Sequence, residues 1–234
     1  MWLPPFLRRF VKKLDLVLFY KGFINKGDLC FDIGANKGER TAAMLALGAR
    51  VIAVEPQSTC VEVLKKKFGK NKRVTVVQAA VGDRLGSANL KLCAETSECA
   101  TLSDDFVKAY GEISNLHWTT HEQVQMLTLD ALINQYGLPR FCKIDVEGYE
   151  SKVIAGLHQP IDCISIEFNQ HLLSDTYRAM RELSELAKYE TNFIEYENLN
   201  FVNYDWLGLS FFCEQMDEFF PPELLTGEIF MRRF

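Results

Sequence analysis

Phe31-Asp32-Ile33-Gly34-Ala35-Asn36-Lys37-Gly38-Glu39-Arg40-Thr41 reads as an apolar strand end that passes through a tight turn directly into a helix. Gly34 permits a sharp turn and close ligand approach. Asn36 is among the few non-glycine residues that tolerate positive φ, and Gly38 lets the helix start tight against the sheet. The segment is a ligand cradle. It is not the dinucleotide GxGxxG pattern, which needs glycine where Asn36 and Glu39 stand, and it lacks the GK[ST] of a phosphate loop.

Working outward, Leu29 to Ile33 is the first of five short apolar, β-branched runs, followed by Val51 to Val54, Val74 to Val77, Phe141 to Ile144 and Cys163 to Ile166. Helical patterns separate them at Gly38 to Leu47, Thr59 to Phe68, Leu129 to Tyr136, Tyr149 to Leu157 and Leu173 to Tyr189. This alternation predicts βαβ units and an α/β fold whose mostly parallel, doubly wound sheet is covered on both faces. Asn192 to Tyr196 and Ile229 to Arg232 read as two further strands without a convincing helix between them, so an antiparallel pair is expected at one sheet edge. With 234 residues, 48% apolar, the chain is long enough for one sizeable core, and a single domain over 1–234 is expected. Two parts stand outside that frame: an N-terminal helical extension at 1–27 and an insertion at 84–127. The insertion exceeds an ordinary loop, contains the alternating run Ala88 to Cys93, and carries His117, Trp118 and His121. It reads either as a lid facing the substrate or as an extra hairpin with a mobile tip, and the histidines read as surface residues.

Charge excludes one class of function. A net charge of −5 disfavours nucleic-acid binding, which needs a basic excess against phosphate. Locally, residues 1 to 27 set Arg8, Arg9, Lys12, Lys13, Lys21 and Lys26 against Asp15. Phe6, Leu7, Phe10, Val11, Leu14, Val17 and Leu18 recur among them at helical spacing, forming a stripe that would dock on the domain or, alternatively, lie on an anionic membrane surface. No run approaches the roughly 20 apolar residues of a membrane span. Seven cysteines without a CxxC pair suggest a reducing compartment, hence a cytoplasmic setting.

In a doubly wound sheet, ligands bind beyond the carboxyl ends of the strands, and here three consecutive ends carry acids. Asp32 closes the first strand, where it suits an ammonium better than a pyrophosphate. Glu55, followed by Pro56, closes the second and could accept both hydroxyls of a ribose. Ala79-Ala80-Val81-Gly82-Asp83 follows the third, where a backbone amide or Asp83 could meet an adenine edge. With FDIGANKGERT at 31–41, AVEP at 53–56, AAVGD at 79–83 and KIDVEGYE at 143–150, the chain resembles the FkbM-type family of S-adenosylmethionine-dependent methyltransferases over about residues 25 to 170. The resemblance implies the Rossmann-like, seven-stranded class I methyltransferase fold with a reversed last strand and S-adenosyl-L-methionine as cofactor. It further implies that Asp32, Gly34, Asn36 and Gly38 line the methionine side, Glu55 with Pro56 holds the ribose, and Ala80 to Asp83 flank the adenine. The acceptors it implies are hydroxyls of sugars, glycans or secondary metabolites.

The fourth strand ends Lys143-Ile144-Asp145-Val146-Glu147, the fifth Ser165-Ile166-Glu167-Phe168-Asn169, with His171 beyond. Parallel neighbours would bring Asp145 and Glu167 to one sheet edge. Three readings stay open: a carboxylate general base tuned by Lys143 or His171; a divalent metal held by Asp145, Glu167 and Asn169; or Asp145 on the cofactor ammonium with Lys143 paired locally and Glu167 capping a helix. A nucleotide-binding module without catalysis would keep the cradle and not need this pair.

Overall fold

The computed structural model describes residues 14–196, 198–222 and 224–234. In chain order the first half comprises helix α1 (residues 14–20), then β1 (Leu29–Ile33), α2 (Glu39–Ala46), β2 (Arg50–Val54), α3 (Ser58–Phe68), β3 (Val74–Val77), β4 (Ala80–Val81), β5 (Gly86–Cys93), α4 (Asp104–Ile113) and β6 (Trp118–Leu127). The second half comprises α5 (Leu129–Tyr136), β7 (Phe141–Ile144), α6 (Glu150–Ile154), β8 (Cys163–Asn169), α7 (Leu173–Leu186), β9 (Tyr189–Glu195), β10 (Leu207–Gly208), α8 (Leu209–Glu214), α9 (Met216–Phe219) and β11 (Thr226–Arg233).

The main sheet runs β10-β9-β11-β8-β7-β1-β2-β3. It therefore has eight strands rather than the expected seven, because two residues of β10 pair with β9 at the edge. The five expected apolar runs form the parallel strands β1, β2, β3, β7 and β8. The last two expected strands pair antiparallel at this side of the sheet, as expected, with the reversed β11 between β8 and β9 and antiparallel to both. Gly227 makes the insertion possible, since a methyl there would sit 2.2 Å from the Ile194 carbonyl oxygen. From β1 the chain builds outward through β2 and β3, then returns to the other side with β7 and β8. The switch point thus falls between β1 and β7, where an α/β sheet opens a crevice.

Alternation sorts the strand residues onto two faces. Leu29, Phe31 and Ile33 of β1, Ile144 of β7 and Ile164 and Ile166 of β8 join one core with Leu129, Leu132, Val153 and Leu183 of helices α5, α6 and α7. Cys30, Phe141, Cys163 and Phe230 point the other way and pack with Leu16, Tyr20, Phe23 and Met44. On that second face, moving toward the carboxyl ends, the apolar residues give way to Asp32, Lys143 and Ser165, which occupy neighbouring register positions.

The N-terminal stripe meets this face differently from its expected pattern. Leu16, Tyr20, Phe23 and Ile24 are buried, whereas Leu14 and Leu18 stay exposed. Aromatic demand decides the rotation: Phe23 has its ring within 6.1 Å of Phe201, Trp206, Phe141 and Phe230. Phe6, Leu7, Phe10 and Val11, with Arg8, Arg9, Lys12 and Lys13, lie outside the described residues. Among the described residues no helix is long and apolar enough to cross a membrane.

The 84–127 segment carries regular structure of its own. β5 and β6 pair antiparallel over their length, β4 joins β6 in parallel, and α4 bridges the hairpin. It is fastened to the main unit by polar contacts: the Ser58 N–H at the start of α3 donates to Glu122 at 3.2 Å, and Asn169 Nδ2 of β8 donates to the Tyr110 hydroxyl. Phe23→Ala is expected to cost about 3 to 5 kcal/mol of unfolding free energy, the range for emptying an aromatic site in a packed core, and chemical denaturation of the purified chain measures it.

Candidate active site

Gly34 follows β1 at φ 79°, and its ideal Cβ would lie 1.7 Å from the Asp145 carbonyl oxygen. Only glycine lets β1 and β7 finish this close together. The turn continues through Asn36 at φ 44° to Gly38 at φ 80°, which N-caps α2. Gly38 is required for a different contact from the one expected: a methyl would come 2.6 Å from Leu64 and Phe68 of α3, so the helix starts tight against α3 rather than the sheet. The backbone N–H groups of Asn36 and Gln57 donate at 2.8 Å to the two oxygens of Glu55, which is 5% exposed. Burial pushes the Glu55 carboxyl up to about 7, opposed by those two hydrogen bonds.

A cavity of about 1080 Å³ opens beside this turn. Of the residues singled out from sequence, Gly34, Asn36, Gly38, Glu55, Pro56, Ala80, Lys143, Asp145 and Glu167 line it. Asp32 and Asp83 do not. Asp32 is 1% exposed and lies beneath the floor, where Oδ2 accepts from the Thr41 hydroxyl at 2.5 Å. Asp83 turns outward to Lys152 and Arg84, each at 3.1 Å, since those cations satisfy it on the surface. The insertion contributes Leu90, Ser97, Glu98, Ala100, Thr101 and Leu102 to the wall, and the C-terminal part contributes Ile194, Glu195, Tyr196, Leu199, Gly227 and Glu228.

The floor at the β7 and β8 ends is acidic. Among the described residues, Asp145, Glu147 and Glu167 bring carboxylate oxygens within 4.8 Å of one another. Lys143, 2% exposed, reaches Asp145 Oδ2 at 2.5 Å. Burial alone would lower the Lys143 ammonium, but the charges of Asp145 and Glu228 outweigh it and leave its pKa raised. For Asp145, burial raises and Lys143 lowers; Lys143 prevails, so Asp145 is held anionic. Glu167 is pushed well up by burial and then by Asp145 and Glu147. Glu147 is raised in the same way, by burial and then by Asp145 and Glu150. Adjacent carboxyls thus carry opposed shifts within a single site.

Two expected partners are elsewhere. Asn169 spends its side chain on Tyr110 and on the His171 N–H, so the third carboxylate of the cluster is Glu147. His171 sets its ring edge on Tyr110 at 5.9 Å and does not line the cavity, leaving Lys143 as the cation beside Asp145. His117 pairs with Glu95 on the surface at 2.9 Å. Sequence reasoning missed Glu228 and its neighbours: Glu228 pairs in register with Glu167, accepts from the Ser165 hydroxyl at 2.6 Å and meets Arg40 at 3.9 Å. Its signal was available, an acid flanked by Gly227 and the apolar Ile229-Phe230-Met231 of a buried strand.

The model of the methyltransferase FkbM domain matches residues 32–203. The chain belongs to this family of S-adenosylmethionine-dependent methyltransferases. A search of curated protein sequences finds no match. Among solved structures, the chain is similar to a precorrin-6y C5,15-methyltransferase from Geobacter metallireducens, with TM-score 0.50 and 10% identity, covering 95% of this chain and 87% of that one. It is also similar to a TehB-like SAM-dependent methyltransferase from Corynebacterium glutamicum, with TM-score 0.50 and 8% identity, covering 94% and 88%. At such identities the likeness is one of fold: the class I methyltransferase architecture.

Glu150 supports the cluster from below. It is 4% exposed and accepts from the Val146 N–H at 2.9 Å. Burial, followed by the Asp175 charge, moves its carboxyl from 4.5 up to about 8. A carboxyl raised on folding contributes stability that is complete below its unfolded value and lost as pH rises through its folded one. Glu150→Gln, which keeps a neutral acceptor for Val146, is therefore expected to remove a loss on the order of a few kcal/mol between about pH 5 and pH 8. Denaturant unfolding of both proteins across that range checks it.

Proposed function

We propose that the chain transfers a methyl group from S-adenosylmethionine to a hydroxyl of a sugar, glycan or hydroxylated metabolite. The observation that carries this reading is the pairing, within one cavity, of the Gly34 and Glu55 cradle with the carboxylates of Asp145, Glu147 and Glu167, which lie within 4.8 Å of one another beside Lys143.

The cradle fits the cofactor on its own geometry. The close approach of Gly34 leaves backbone rather than side chain facing the cavity at the switch point. Each Glu55 oxygen is fixed by one backbone N–H and retains a further lone pair, so the carboxylate is oriented to accept two ribose hydroxyls. Ala80, Val81, Leu90 and Tyr149 form an apolar stretch of wall suited to adenine, the role first sought at Asp83. The ammonium of the cofactor would meet Asp145, since Asp32 lies beneath the floor.

When bound, S-adenosylmethionine supplies a methyl already activated on a sulfonium, so the protein has chiefly to align and to exclude water. Glu167 is the stronger base of the Asp145 and Glu167 pair, because its raised pKa gives it greater proton affinity; a cation in the cavity favours its ionised form. Asp145, held ionised by Lys143, orients and offsets that charge. A divalent ion on Asp145, Glu147 and Glu167 would set two positive charges beside the Lys143 ammonium, 2.5 Å from Asp145, where the cofactor ammonium sets one, and this disfavours the metal reading. The acidic lining of Glu98, Glu147, Glu195 and Glu228 likewise disfavours a strongly anionic acceptor.

Calorimetric titration is expected to show S-adenosylmethionine and S-adenosylhomocysteine binding in preference to NAD, and NAD binding without either would overturn the reading. Glu55→Gln should weaken cofactor binding by about 1 to 3 kcal/mol. With an acceptor found by screening candidates for S-adenosylhomocysteine release, Glu167→Gln and Asp145→Asn should lower turnover by about 10²-fold or more while the protein stays folded. Loss of cofactor affinity in Asp145→Asn assigns that residue to the ammonium; loss of turnover alone assigns it to the acceptor. Activity that survives EDTA excludes an exchangeable metal.

A further inference from the structure

The turn from Asp145 to Glu150 is held from three directions. The Asp145 N–H donates to the Ile33 carbonyl of β1 at 3.1 Å, and the Val146 N–H donates to Glu150 at 2.9 Å. The third support comes from the insertion, where the Thr101 hydroxyl donates to the Glu147 carbonyl at 2.7 Å. Glu147 has φ 58°, a left-handed conformation that costs a residue with a Cβ about 1 kcal/mol or more and persists only where the surroundings enforce it. Gly148 follows at φ 82°, and a methyl there would lie 2.5 Å from Leu172 and 3.2 Å from Phe106, so that side of the turn is closed.

Thr101 is itself tied down. It is 1% exposed, exchanges two backbone hydrogen bonds with Lys91 of β5 at 2.9 and 3.0 Å, and accepts from the Ser103 N–H at 2.8 Å just before α4. Releasing the Glu147 carbonyl would free its peptide to rotate toward the right-handed region, which swings the side chain away from the cavity wall. We propose that Thr101 is a positioning residue for methyl transfer: by fixing the Glu147 carbonyl it keeps the Glu147 carboxylate beside Asp145 and Glu167, facing the cationic centre of the cofactor. The insertion thereby completes the site instead of merely covering it. This inference rests on the methyltransferase reading above.

Its test needs no acceptor. Sinefungin carries a protonated amine in place of the sulfonium methyl, whereas S-adenosylhomocysteine carries no charge there, so the ratio of their affinities reports the carboxylates at that point. By calorimetry on the full chain, Thr101→Val should lower the sinefungin preference by about five- to tenfold, and Thr101→Ser should retain it to within about twofold. Glu147→Gln should lower it similarly, and Thr101→Val added to Glu147→Gln should lower it no further. Thr101→Ala, which adds no bulk, replaces Thr101→Val should the latter not fold. A folded Thr101→Val or Thr101→Ala protein with the wild-type ratio overturns the proposal, as does an effect that persists undiminished in the Glu147→Gln background. Failure of the wild-type chain to bind either nucleotide overturns the methyltransferase reading and this proposal with it, whereas normal binding with an unresponsive ratio overturns the role of Thr101 alone.

Discussion

The buried ammonium of Lys143 is the charge around which the carboxyl end of the sheet is organised. It is placed by register: Asp32 on β1 and Ser165 on β8 flank it, and the next positions outward are Gly34, Asp145 and Glu167. An unpaired lysine at 2% exposure would shed its proton, but here the surrounding carboxylates prevail and hold the charge. With the ammonium fixed, the acids divide. Asp145, in direct contact, stays ionised; Glu167 and Glu147 are raised, first by burial and then by the Asp145 charge.

The same constraint explains why backbone geometry at two turns is so narrow. Bringing Asp145 to the floor requires β7 to finish against β1, and the place where a Cβ of residue 34 would stand is taken by the Asp145 carbonyl. Turning the chain away again toward α6 then forces Glu147 and Gly148 into left-handed conformations in succession. Both turns cost conformational freedom and local strain, and packing repays it: Phe106 and Leu172 close on one, the end of β2 on the other through the Gly34 and Ala35 N–H groups, which donate to the Val54 carbonyl.

What could be read from sequence follows from how local each feature is. The five parallel strands carried their own signal, since buried strands read as continuous apolar runs, and the first turn announced itself by Gly34, Asn36 and Gly38. Glu55 was legible because it follows its strand directly. Asp32 was misplaced for a reason intrinsic to strands: it lies within β1, on the α1 face, and so beneath the cavity rather than at its rim. Position next to a glycine turn did not reveal depth. The insertion of β11 between β8 and β9, the register of Glu228 opposite Glu167, and the rotation of α1 that buries Tyr20 while exposing Leu18 all depend on partners in other elements of the fold, and no local pattern encodes them.

The insertion and the C-terminal strands then act as complementary halves of one wall. The end of the cavity beside Gly34 and Glu55 is built by short-range elements, each strand end with its following turn. The opposite end is assembled from distant pieces: Thr101 and Glu98 from between β5 and α4, Glu195 from the end of β9 with Leu199 beyond it, Glu228 from β11. Such a division lets the first region keep one binding chemistry while the second varies in shape and charge with no change to the sheet, because none of its contributors sits on β1, β2 or β3. In this chain that second region is acidic, with Arg40 and Lys143 already engaged by Glu228 and Asp145. An acceptor that entered there with an anionic group would find no free cation among those two, whereas hydroxyls would find acceptors on several sides. The wall is thus divided between short-range turns at the ends of β1 and β2 and distant pieces that meet the acidic floor, with Thr101 joining the two through the Glu147 carbonyl.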